Sequence, residues 1–330
     1  MRKKNSLILL FVGIAAIADA AFGQGGITLA GADYVAPSQI RVAPGQVITF
    51  KLTGLKTILP ANAPAVRENS VPLPKSLAGI SVTLTQVTPQ LTEQLPIFAI
   101  QQFNSCGATY PLPGPPSPDC MITALTVQIP FDVTVPNPLA DFASIVSTTV
   151  TINETGGNSR PFTVVPVADN IHILTSCDLI VNPVSASCNP VVTRGDGSPV
   201  NPSNPAKIGE DLVLYAVGLG LTSPAVAAGT PTPAPAPSIV SQAGVSYNYT
   251  DPLGVQPSVS PTASPVPPTL FVGLTPGLVG LYQVNFRVLP PPGTFPSCSA
   301  VGPNLTLTLK TPQGTSDKAT VCIDTTSTTP

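Results

Sequence analysis

The chain has 330 residues, of which 42 are Pro and 26 Gly, with 9% charged residues, 43% hydrophobic ones and a formal net charge of −2. That is too apolar and too weakly charged for a disordered chain, and the long Ala, Glu, Lys and Leu stretches of a helical bundle are missing. What remains is an exported all-β protein, long enough for about two domains.

The first element in chain order is an export signal. Arg2, Lys3 and Lys4 form a basic head, Ser6 to Ile17 an apolar run, and Ala18, Ala20, Ala21 and Gly23 a small-residue exit. Cleavage after Ala20 and after Gly23 both fit. The apolar run is shorter than the roughly 20 residues of a membrane span, and no later apolar segment is long enough to span a bilayer. Removing residues 1–23 leaves 11 Lys/Arg against 15 Asp/Glu, a net charge of −4, which gives no footprint for nucleic acid or for an anionic membrane. The expected location is secreted, cell-surface or periplasmic.

Period-two alternation of apolar and polar residues then predicts strands near 47–53, 80–85, 124–129, 148–153 and 161–166, and again near 211–217, 244–249, 281–288, 304–310 and 318–323. The two sets repeat each other. APGQVITFKLTGL from Ala43 matches KIGEDLVLYAVGL from Lys207. AGISVTLT from Ala78 matches AGVSYNYT from Ala243, and LTVQIP from Leu125 matches QVNFRVLP from Gln283 more loosely. TVTINETGGNSRPFTVV from Thr149 matches TLTLKTPQGTSDKATVC from Thr306 without a gap. Four blocks in one order indicate duplicated domains. Half-buried strands punctuated by Gly/Pro turns are the pattern of two packed sheets, so the expected fold is two tandem Ig-like β-sandwiches after a cleaved signal peptide. The boundaries are 1–23 for the signal, 24–168 for the first sandwich, 169–200 for a connector and 201–330 for the second sandwich. Helix should be nearly absent.

The phrases VAPGQVITFKLTGL, LPKSLAGISVTLT, VNPSNPAKIGEDLVLYAVGLG and LTPGLVGLYQVNFRV resemble the tandem IPT/TIG-like (Ig-like) modules of secreted acidobacterial proteins. The resemblance spans nearly all of the mature chain and implies an extracellular Ig-like module, with no reaction to carry over. Two departures are particular to this chain: a stretch between Phe98 and Leu125 that contains YPLPGPPSPD, and a Pro-rich expansion from Thr250 to Pro268.

Six cysteines in an exported chain read as a disulfide framework. They allow 15 connectivities; short separations across Pro/Gly turns favour Cys106 with Cys120, Cys177 with Cys188, and Cys298 with Cys322. Such a bridge would restrain the 106–120 loop and lower the ordering cost of its tip, so Tyr110, Pro111, Pro113 and Pro115 are the expected binding loop.

Other candidates read as structure. His172 is the only imidazole, and the alternation in NIHIL places it as an exposed strand residue opposite Ile171 and Ile173. Glu210 and Asp211 are adjacent, so they face opposite sides of a strand as solvated charges and cannot form an acid/base pair. Asp178 and Asp196 lack the spaced ladder of a calcium loop. Arg194-Gly195-Asp196 is the tripeptide that integrins read, but Gly-Asp-Gly is also ordinary turn chemistry. Tyr247 and Tyr249 have Val82 and Leu84 as counterparts, so they should pack inward with their hydroxyls at the sheet margin. The Pro-rich runs Thr230 to Ser238 and Gln256 to Pro268 read as stiff extended spacers. No metal, cofactor or catalytic residue is expected. The function expected is that of a non-catalytic secreted or cell-surface interaction or structural protein acting through its Ig-like modules and their loops, with a surface protein or glycan as partner. Open sheet edges leave self-assembly available. The alternative is a carbohydrate-binding accessory protein or degenerate hydrolase, which the absence of Trp, paired acids and a spare His disfavours.

Overall fold

The computed structural model describes residues 27–32, 39–59, 65–104, 120–136, 147–159, 161–178, 188–249, 268–291 and 293–328. Among these, the fold is β throughout apart from one short helix, Cys298–Val301. Each strand predicted from alternation is present, and Val47–Thr53, Asp211–Val217 and Gly244–Tyr249 have the predicted bounds.

In the first half, one sheet runs in the order Thr28–Ala32, Val47–Thr53, Met121–Gln128, Ile97–Asn104 and Ala65–Arg67. The facing sheet has Ile40–Val42, Phe162–Pro166, Thr148–Glu154, Ile80–Gln86 and Ser76–Leu77 in order, with Gly157–Asn158 and Leu91–Gln94 attached. The inward residues of each meet in one core: Phe50, Leu52 and Leu125 from one sheet, Val82, Leu84 and Ile152 from the other. At roughly 1.5–3 kcal/mol per fully buried side chain, this stripe dominates the stability of the sandwich.

The second half repeats the plan. Asp211–Val217, Tyr282–Arg287 and Thr269–Leu274 form the centre of one sheet, and Gly244–Tyr249, Leu305–Lys310 and Ala319–Val321 form the other. Their shared core holds Leu214, Val284 and Phe286 against Val245, Tyr247 and Leu307. Val82 and Leu84 and their counterparts Tyr247 and Tyr249 are all buried, so both halves hide the same stripe.

The likeness extends to individual hydrogen bonds. Gln46 N donates to Ala43 O and Ile129 N to Gln46 O; in the second half Glu210 N donates to Lys207 O and Val288 N to Glu210 O. The turns hold Gly45 and Gly209 at φ 73° and 88°, a region open to glycine. Ser159 N donates to Ile152 O while Ser159 Oγ accepts from Ile152 N; Ser316 and Leu309 do the same. Both halves also close with a parallel strand pair, Val42 opposite Pro166 and Ala206 opposite Ile323. One difference stands out. Val82 lies opposite Ile152, but its counterpart Tyr247 lies opposite Leu307 rather than Leu309. The second pair has slipped by two residues, which leaves every inward side chain inward.

Two expectations need correction. The stretch 169–200 is not a free connector, because His172–Ile173 and Val192–Arg194 both pair with Asp211–Val217 and extend its sheet. The strand expected near 318–323 is divided at Cys322 into Ala319–Val321 and Ile323–Thr328. Ile97–Asn104 and Met121–Gln128 form a hairpin, and the insertion expected between them lies outside the described residues apart from Cys120.

Cys177 and Cys188 are bridged with Cα atoms 4.9 Å apart, and Cys298 and Cys322 with Cα atoms 5.2 Å apart, the expected pairs. The pairing of Cys106 with Cys120 lies outside the described residues through Cys106, as do residues 1–23, the loop tip with Tyr110, Pro111, Pro113 and Pro115, and nearly all of the Gln256 to Pro268 run.

The halves are locked together. Phe131, from the first, belongs to the second half's core. A Cβ on Gly45 would lie 2.2 Å from the Phe131 ring, so only glycine admits the ring there. Gly229 N donates to Gln128 Oε1 at 2.6 Å and Leu73 N to Gly229 O at 2.8 Å across the junction, while Gly45 O of the first half accepts from Gln128 Nε2 at 3.2 Å. Val47, Leu174 and Val217 add a small apolar cluster across the junction.

Candidate functional site

Lining the junction is a cleft of about 510 Å³. The first half contributes Lys75 and Glu93, the latter on Leu91–Gln94, together with Asp132 after the buried Phe131; the second half contributes Leu221, Thr222 and Ala228. Leu221 is 47% exposed. The carboxyls of Asp132 and Glu93 share the cleft lining. Burial raises the Glu93 pKa above its ordinary value, and the Asp132 charge raises it further, against an opposing pull from Lys75. Neither carboxylate stood out in the sequence, because they lie on segments that meet only in the folded chain.

A second concavity, of about 320 Å³, is almost wholly apolar. Val47 and Phe98 meet Tyr215, Val217, Leu278 and Leu281 there, continuous with the buried cluster of the junction.

His172 is not the exposed strand residue expected; it is 8% exposed and lies between two carboxylates. Nε2 is 3.1 Å from Asp178 Oδ1 and Nδ1 is 2.7 Å from Asp317 Oδ2. Each ring nitrogen needs a proton to meet its carboxylate, which makes the group an imidazolium. Burial alone would lower its pKa; the hydrogen bonds to Asp178 and Asp317 and their charges outweigh that and raise it to about 9. Asp178 is held in turn by Thr175 N at 2.5 Å and Thr175 Oγ1 at 3.0 Å, beside the Cys177–Cys188 bridge. Asp317 also accepts from Ile173 N. The cluster ties a sheet edge to the turn after Leu305–Lys310, and all three of its charged groups serve that attachment.

The remaining candidates are also engaged. Arg194 donates through Nε to Glu210 Oε2 at 3.1 Å and through a terminal nitrogen to Pro205 O at 2.8 Å, so the guanidinium is folded back from the Gly195-Asp196 turn. Asp196 Oδ1 accepts from Ser198 N. Glu210 is drawn inward by Arg194 and is not the solvated charge expected, with its side chain only 15% exposed, whereas Asp211 forms an exposed two-point pair with Arg287. The Pro-rich run from Thr230 docks through Thr232, whose N and Oγ1 both donate to Leu278 O.

Tyr247 and Tyr249 are buried with their rings 6.0 Å apart, so they form no exposed stacking platform. Tyr249 donates to Leu289 O at 2.7 Å, and Tyr247 Oη accepts from Leu289 N at 2.8 Å. Burial raises the Tyr247 phenol to about 12. Replacing either Tyr by Phe should cost about 1–2 kcal/mol, because each change orphans a main-chain group of Leu289 in a mostly buried setting. Urea denaturation of Tyr247→Phe and Tyr249→Phe checks this; changes under about 0.3 kcal/mol would contradict it.

The fold and these arrangements define an all-β protein of packed sheets with two concavities along the junction between its halves. No protein-family model matches the chain, and no curated protein matches it. Among solved structures it is similar to the adhesin InvE of Yersinia pseudotuberculosis, at 13% identity and a TM-score of 0.22, over 91% of this chain and 61% of that one. The chain therefore spans less than two thirds of that adhesin's length.

Proposed function

We propose that this is a non-catalytic secreted or cell-surface interaction protein, built from two tandem Ig-like modules and exported by the signal at residues 1–23. The observation that carries the reading is the locked junction. Phe131 and the Gln128–Gly229 contact hold two similar sandwiches in one fixed relation, which presents a composite surface neither half has alone. The engagement of His172, Asp178 and Asp317 in one structural clamp supports the same reading. Disulfides at Cys177–Cys188 and Cys298–Cys322 fit an oxidising compartment.

The test is crosslinking of the mature chain to intact producing cells, followed by identification of the captured surface component, with a glycan array in parallel. Capture of a defined surface protein at saturable occupancy is expected. Specific glycan binding lost in Tyr110→Ala would instead favour the carbohydrate-binding alternative, and hydrolysis of a captured glycan would overturn the non-catalytic reading.

A further inference from the structure

The cleft at the junction combines a free sheet edge with uneven charge. Leu91–Gln94 pairs with Ile80–Gln86 on one side and with no described strand on the other. Leu95 N donates to Val82 O at 2.8 Å, which fixes the alternation: Glu93 and Leu91 direct their main-chain groups to Leu84 and Gln86. Thr92 and Gln94 therefore direct theirs away from the sheet, as a template for one more strand. Gln94 lines the cleft. Beside it stand the carboxyls of Glu93 and Asp132, with Lys75 as the one cation among the lining residues, and across it the exposed Leu221.

We propose that this cleft receives an extended basic segment of a partner protein, added as a strand to the Leu91–Gln94 edge. Main-chain groups of Thr92 and Gln94 pair with the segment. The residue opposite Glu93 is Lys or Arg, set between the Glu93 and Asp132 carboxylates, and an apolar residue two places along, on the same face, meets Leu221. Charge complementarity selects this occupant: the lining holds two carboxylates, Glu93 and Asp132, against the single cation Lys75, and a second cation set between the carboxylates relieves their mutual repulsion. An acidic segment would add to it. This assignment rests on the surface-interaction reading and names its partner class.

The probe is an acetylated and amidated peptide of sequence Thr-Val-Thr-Lys-Thr-Val-Thr, titrated into the ¹⁵N-labelled mature protein. The amide signals of Thr92 and Gln94 should shift saturably. A peptide with Glu in place of Lys should bind at least tenfold more weakly, as should the Lys peptide to a Glu93→Gln, Asp132→Asn variant. That variant should keep the parent melting temperature. No saturable shift at Thr92 and Gln94 up to millimolar peptide, or equal affinity for the Glu peptide, overturns the proposal. Crosslinking of the same variant to cells separates the two readings. Unchanged capture removes the cleft assignment and leaves the surface role standing, whereas failure of the parent protein to capture anything counts against the surface role itself.

Discussion

Raising the pH from 6 to 9, below the range in which unfolded tyrosines ionise, should destabilise the protein by about 2 kcal/mol, and His172→Gln should remove that loss. The folded imidazolium has its pKa raised to about 9, whereas an unfolded histidine titrates near 6.5. Below pH about 6.5 both states hold the proton and the stabilisation is complete. Between about 6.5 and 9 the unfolded chain releases its proton while the folded chain keeps it, so stability falls with rising pH; above about 9 the contribution is gone. At about 1.36 kcal/mol per pKa unit the shift gives an upper bound near 3 kcal/mol, which the 45% exposure of Asp317 reduces to about 2. Asp178 acts in the opposite direction: burial opposes its ionisation, but the His172 and Thr175 contacts prevail and lower its pKa. Its share is therefore lost on acidification. Denaturant midpoints at pH 3, 6, 8 and 9 for the parent and for His172→Gln test both limbs. Parallel curves for the two proteins would contradict the clamp.

Phe131→Ala should have the largest effect of any single substitution at the junction. The ring leaves the first half and is buried in the second half's core, so truncation should cost about 3–5 kcal/mol and uncouple the halves. Calorimetry should then resolve two transitions where the parent shows one. Gly45→Ala should act in the same direction from the other side, because its Cβ would lie 2.2 Å from the Phe131 ring and its φ is 73°. Gln128→Ala should be milder, as it orphans Gly229 N while leaving the ring in place. A single transition in Phe131→Ala, shifted by less than about 1 kcal/mol, would mean that the ring does not join the halves.

Local alternation made much of this fold legible and failed where the period breaks. Ile80–Gln86 and Leu305–Lys310 alternate cleanly, and their inward residues are buried as read. Ile97–Asn104 and Thr269–Leu274 escaped notice because each has a register shift within its first three residues, between Ile97 and Ala99 and between Thr269 and Phe271. The extra residue moves the following side chains to the other face and erases the period-two signal. The shift recurs at the same place in both halves, so even the irregularity is duplicated. His172 illustrates a different limit. Alternation read its ring as exposed, but whether it is covered depends on Asp317, 144 residues beyond Ile173, whose carboxylate meets both the Ile173 amide and the ring. The meeting of Glu93 and Asp132 in one cleft and the burial of Phe131 by the second half have the same origin in long-range packing, which no local pattern encodes.

The two-residue offset between the strand pairs of the halves bears on how such a module can diverge. A pleated strand returns to the same orientation at every second residue, so an even displacement preserves the buried stripe whereas an odd one would turn it to solvent. Parity, rather than length, is therefore what such a strand pair must keep. Strand pairs of this plan are free to shift along each other in steps of two, lengthening one loop as they shorten another, without ever passing through an inverted core.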